Sequence, residues 1–168
     1  YWDRLVDGTP WLELFRHAFG DERDDYDMAL QRNYQQGPPP DWSSRFVSAY
    51  ASSHPWEDFA ETWAHYMHMV DSLDTARSFG LKTGEVATEF ESQKAASLLR
   101  PNDPDADRFL AFVNQWISLT AVMNELTRSM GQTDFYPFVL PPAAVAKLQF
   151  VHMVIIGRHP ATRRGKRA

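Results

Sequence analysis

The chain has 168 residues, 43% of them hydrophobic and 14% aromatic, which suits one soluble domain with a packed core and excludes a disordered segment. Five of its 17 Lys and Arg fall in the last eleven residues, so the rest of the chain sets 12 basic against 22 acidic side chains. So acidic a body excludes duplex nucleic acid as the main partner. The absence of cysteine excludes disulfides and thiolate metal sites within these residues. No secretory signal and no apolar run approaching ~18 residues is present, so no membrane is expected as a partner and a cytoplasmic location is expected.

In chain order the reading is almost entirely helical. Residues 1–7 look like the end of a helix closed by Gly8. Thr9 and Pro10 form a cap and first-turn pair for a short helix ending at Gly20. Asp24 or Asp25 caps a further helix through Tyr34, stopped by the stiff connection Gly37-Pro38-Pro39-Pro40. Helix-forming residues return near Trp42, and an extended stretch around residues 45–51 stays open. After the break at residues 52–55 a strong helix runs from Pro55 to Ser78, with Glu57 and Asp58 complementing its dipole and Gly80 as the stop.

Polar residues 81–103 lead to a helix over about residues 105–130. Its apolar positions Phe109, Phe112, Val113, Trp116, Leu119, Thr120 and Met123 recur at helical spacing. An aromatic loop, Asp134-Phe135-Tyr136-Pro137-Phe138, precedes a last helix over about 142–156. The expected architecture is a mainly α, compact single-domain bundle over residues 1–157, with a basic flexible tail at 158–168.

The chemistry concentrates on the Pro55–Ser78 helix. Glu57, Glu61, His65 and His68 are spaced by four, four and three, which puts them along one stripe, and Phe59, Trp63, Tyr66 and Met67 are expected to pack on the other side. No Lys or Arg occurs between Arg45 and Arg77. The repulsion between the two carboxylates is therefore unrelieved unless a metal, a proton or a histidine compensates. Periodicity alone equally allows a bland arrangement, in which Glu57 opens the helix and His65 and His68 are packing histidines. A two-metal carboxylate bundle is disfavoured because it uses Glu-x-x-His pairs, and the chain has none.

Several stretches together resemble the bacterial zinc-binding metallopeptidase family of gluzincin-like type. They are Tyr1-Trp2-Asp3-Arg4-Leu5-Val6, Phe19-Gly20-Asp21-Glu22-Arg23 with Asp25-Tyr26, and Ser48-Ala49-Tyr50-Ala51 leading into His54-Pro55-Trp56-Glu57-Asp58. Arg128-Ser129-Met130-Gly131 with Asn124, the 134–140 loop and Phe150-Val151-His152 complete the pattern. The resemblance implies a His-Glu-x-x-His helix running directly into Tyr1, supplying two zinc ligands and the catalytic glutamate. That motif is not among these residues, since none of the six histidines is followed by Glu. The expectation is a zincin-like C-terminal portion of a zinc peptidase, inactive without that motif.

The resemblance also implies roles for particular residues. Glu57-Asp58-Phe59-Ala60-Glu61 is similar to an acid-x-Phe-Ala-acid run in glutamate-ligand peptidases. There the first acid binds zinc, the second orients a ligand histidine, and a catalytic tyrosine stands seven positions before the ligand. Glu57 is thereby implied as the metal ligand, Glu61 as the acid behind it, and Tyr50 as a donor to the developing oxyanion. Glu61 as the ligand, and Tyr50 as a plain core tyrosine, remain alternatives. His54, His65 and His68 are expected to pack or hydrogen-bond, and Tyr26, Tyr136 and Trp63 to line the core or a cleft. The implied activity is hydrolysis of a peptide or protein substrate by zinc-activated water. A helical structural or protein-binding module without chemistry is the competing reading, and the oligomeric state is open.

Overall fold

The structure, a computed structural model, describes residues 1–82, 92–136 and 140–157. Among them are six α-helices: α1 (Trp2–Leu5), α2 (Leu12–Phe19), α3 (Tyr26–Gln36), α4 (Pro55–Ser78), α5 (Ala106–Ser129) and α6 (Pro142–Ile155). Short 3-10 turns lie at Trp42–Ser44, Tyr50–Ser53 and Ala95–Ser97. The described residues contain no strand, so the mainly α expectation holds, and residues 45–51 pass through bends into the Tyr50–Ser53 turn instead of extending. The proposed tail at 158–168 lies outside the described residues, as do Pro137 and Phe138 of the aromatic loop. No helix among the described residues is long and apolar enough to cross a membrane.

Local chemistry explains most helix ends. The Asp25 carboxylate accepts the Met28 N–H at 2.9 Å, so Asp25 caps α3, which runs on to Gln36, two residues beyond the expected end, before Gly37 turns the chain. Thr9 accepts the Trp11 N–H at 3.2 Å and donates to the Val6 carbonyl at 2.7 Å; it caps the approach to α2 and not its first turn. Gly20 ends α2 at φ +110°, and a Cβ there would stand 3.4 Å from Pro55. The positive φ, not the space beside Pro55, is what calls for glycine at this position.

Two helices organise the core. α6 is buried on almost every side, through Ala144, Val145, Lys147, Leu148, Gln149, Phe150, Val151, Met153 and Val154. It packs against α2, α4 and α5. Phe150 meets Trp11, Phe15, Phe19 and Phe59 edge-on at 5.4–6.4 Å, which welds α2, α4 and α6 into one aromatic cluster. α4 buries Asp58, Phe59, Thr62, His65, Tyr66, Met69, Leu73 and Ala76. Met67, expected to pack, is 41% exposed, because it lies on the solvent side with Ala60 and Ala64.

Several polar groups inside the core are matched to specific partners. Lys147 Nζ lies 2.6 Å from Asp58 Oδ2, with both side chains buried, and also donates to the Arg45 carbonyl at 2.9 Å. The Phe46 ring covers the ammonium at 4.0 Å. Burial pushes the Asp58 carboxyl up to about 6 and the Lys147 ammonium down, each against the pull of the other. Farther along α6, the Gln149 side chain bonds both the N–H and the carbonyl of Arg100 at 2.8 and 3.1 Å. His152 lies between Asp105 Oδ2 and the Tyr66 hydroxyl, each at 2.8 Å. Nε2 faces the carboxylate and Nδ1 faces Tyr66, whose hydroxyl burial raises to about 12.

Replacing Lys147 by Met leaves Asp58 without its counter-charge. Urea unfolding of Lys147→Met is expected to show a loss of about 3–5 kcal/mol, largely recovered in the double variant Asp58→Leu/Lys147→Met. Glu22, buried against Arg16, is held below its ordinary value of 4.5 chiefly by the hydrogen bonds from that guanidinium. A depressed carboxyl contributes stability in full above its unfolded value and loses it as pH falls through the folded one. Glu22→Gln is therefore expected to cost about 1–2 kcal/mol at neutral pH. In equilibrium unfolding across pH, its gap from the parent protein should close as acid is added below pH 4.5.

Candidate functional site

The first turn of α4 is built by His54 and Pro55. His54 Nδ1 accepts the Trp56 N–H at 3.1 Å while Nε2 faces the Asp24 carbonyl at 3.1 Å, so the proton sits on Nε2 and the ring joins α4 to the turn before α3. His54 is therefore a capping residue, as expected from its packing role.

Glu57 follows, half-buried. Tyr26, at the start of α3, donates its hydroxyl to Glu57 Oε1. That hydrogen bond, with burial and the charge of Glu57, raises the Tyr26 phenol to about 12. Tyr50 is raised to about 12 by burial, by a hydrogen bond with Tyr34 and by the same Glu57 charge. Both phenols thus stay protonated at neutral pH, one bonded to the Glu57 carboxylate and the other bonded to Tyr34 within reach of its charge. Sequence reasoning placed Tyr26 among lining residues. Its bond to Glu57 spans 31 positions, and no local period signals it.

Glu61 lies one turn further on. Ser48 donates to Glu61 Oε2 at 2.5 Å and accepts the Ala51 N–H at 3.0 Å. This serine, absent from the sequence-derived site, ties the turn that carries Tyr50 to the helix that carries Glu57. The ion pairs among the described residues involve neither Glu57 nor Glu61.

The remaining two members of the stripe continue along α4 beyond Glu61. His65 is buried, and its Nδ1 meets the Tyr136 hydroxyl. Burial lowers its pKa, so it is neutral at pH 7. His68 is exposed. Tyr136 is itself held firmly. The Asn124 side chain bonds both its N–H and its carbonyl at 2.9 Å, and its ring stands edge-on to Trp116 at 4.5 Å.

Among the described residues no three His, Asp or Glu side chains converge as a metal site. Around Glu57 the structure gathers a carboxylate with one oxygen held by a phenol and no cationic side chain paired to it. That donor chemistry fits one arm of a zinc site that needs three protein ligands, and it does not make a complete one.

Comparison with known proteins places the chain in a family. Residues 1–154 match a family described as "Putative zinc-binding metallo-peptidase", and the chain belongs to that family. Two relatives are the uncharacterized protein Rv2568c of Mycobacterium tuberculosis and the uncharacterized protein Mb2598c of Mycobacterium bovis. Each is 41% identical over 157 residues, which is 92% of this chain and 42% of the relative. The chain therefore spans less than half the length of the curated relatives it matches. No solved structure matches it.

Ser48→Ala removes the donor to Glu61 and the acceptor of Ala51 N–H together. The expected outcome is a loss of about 1–2 kcal/mol in denaturant unfolding, with faster hydrogen exchange at Ala51 than at other amides of that turn.

Proposed function

We propose that this chain supplies the glutamate arm of a zinc peptidase centre, with Glu57 as ligand, Glu61 as the acid behind it and Tyr50 as a donor to the reacting carbonyl oxygen. The observation that supports this most is the Glu57 carboxylate, bonded by the Tyr26 phenol and without a Lys or Arg partner among the described residues. Tyr26 holds Oε1 and so orients the carboxylate for a cation. Glu61, through Ser48, keeps the Tyr50 turn in register with α4. Tyr50 carries a phenol pushed up to about 12, so it remains a donor while negative charge develops on the oxygen it faces. Zinc, when bound, supplies an acidified water and polarises the scissile carbonyl. The substrate would be a peptide or protein, and neither nucleic acid nor a membrane is proposed as a partner.

The reading is tested in the protein with its natural flanking sequence. Zinc content by atomic emission should fall at least tenfold in Glu57→Gln, while Tyr50→Phe should retain zinc and lose about 10²–10³ in kcat on a peptide substrate. Undiminished zinc in Glu57→Gln removes Glu57 from the site. A competing reading, a helical binding module without chemistry, draws on the absence of a three-donor cluster among the described residues. It predicts no stoichiometric zinc in any of these proteins.

A further inference from the structure

A cleft of about 550 Å³ runs along α4 beyond Glu61. One wall is the helix, through Glu61, His65, His68 and Asp71, and the other is formed by Phe135 and Tyr136. Glu61 and Asp71 lie ten residues apart, which on a helix is about 15 Å, or the length of four to five residues of extended peptide. The volume falls in the range of ligand clefts and is too large for a packing defect. We propose that this groove binds an extended, cationic peptide segment and leads it toward Glu57, so that the protein selects substrates rich in Arg or Lys; the second half of this rests on the peptidase reading above.

Charge complementarity decides the occupant. The lining holds two carboxylates and no Lys or Arg, and α4 carries no Lys or Arg before Arg77. Arg77 is engaged by Asp74 at 3.0 Å and by Gln115 at 2.9 Å, outside the groove. His65, buried against Tyr136 and neutral, adds no positive charge. Phe135, 61% exposed at the mouth, presents an aromatic face on which a guanidinium can stack. Tyr136 gives the wall rigidity, since Asn124 and Trp116 fix it from behind. A rigid wall lowers the ordering cost of binding. An anionic occupant, a nucleic acid or an acidic lipid surface, meets like charge at both ends of the cleft.

The experiment uses the protein with its natural flanking sequence and capped, fluorescently labelled hexapeptides carrying two Arg or two Glu. Fluorescence anisotropy should show the Arg peptide binding at least tenfold tighter than the Glu peptide, with the difference shrinking as salt rises. Asp71→Lys, a change at an exposed position, should weaken the Arg peptide about tenfold and leave the melting temperature within a few degrees. Phe135→Ala should weaken it several-fold. Equal binding of both peptides, or Arg-peptide affinity unmoved by Asp71→Lys, overturns the proposal; so does a groove that takes up neither peptide because another part of the protein covers it. Glu57→Gln separates the two readings. Selective binding that persists there while hydrolysis stops supports both, and selective binding with no hydrolysis in the parent protein supports the groove while refuting the peptidase. Hydrolysis without charge selectivity refutes the groove alone.

Discussion

Asp58 and Lys147 meet inside the core, where both side chains are buried. Desolvation strains both charges, as the upward shift of the acid and the downward shift of the ammonium record. An apolar pair of similar volume would fill the space with less electrostatic strain. What the ion pair adds is direction. Lys147 reaches from α6 to the first turn of α4 and to the Arg45 carbonyl, so three segments are held at one point. Glu57 is the neighbour of Asp58 in that first turn, and Ser48 and Tyr50 follow Arg45 within a few residues. The relative placement of the candidate ligand and the candidate donor is thus set from below by a core lysine.

From above, the same placement is set by hydrogen bonds. Tyr26 reaches Glu57 from α3, Ser48 reaches Glu61 from the connecting turn, and His54 bonds the Trp56 N–H in α4 and the Asp24 carbonyl before α3. Each contact joins another segment of the chain to the start of α4. A carboxylate held this way loses little freedom when it meets a cation, which is the physical content of preorganisation.

α4 carries two kinds of surface, and its register decides which residue does what. Asp58, Thr62, Tyr66, Met69 and Leu73 turn inward, and Ala60, Ala64, Met67 and Asp71 turn outward. Glu57 and Glu61 sit at the boundary, half-buried, where Tyr26 and Ser48 reach them with hydroxyl donors. His65, although on the same stripe by spacing, is drawn inward by Tyr136 and becomes part of the wall. A stripe read from a helical wheel is thus divided by the side chains that other segments place opposite it.

The amino-acid sequence by itself determined the helices, since their signals act within a turn or two. Pro55 and Ser78 bound α4 as read, Gly20 and Gly37 end α2 and α3, and the 105–130 periodicity appears as α5 with Phe109, Val113, Trp116 and Leu119 buried. It also showed the four-residue spacing of Glu57 and Glu61 and the lack of basic residues around them. Only the tertiary structure decided the partners: Tyr26 on Glu57 across 31 positions, Tyr136 on His65 across 71, and Lys147 on the Arg45 carbonyl across 102. The reason is that capping and periodicity are properties of neighbouring peptide units. A hydrogen bond between distant side chains depends instead on how whole helices pack, and that packing is set by the summed burial of many residues that carry no sign of whom they will face.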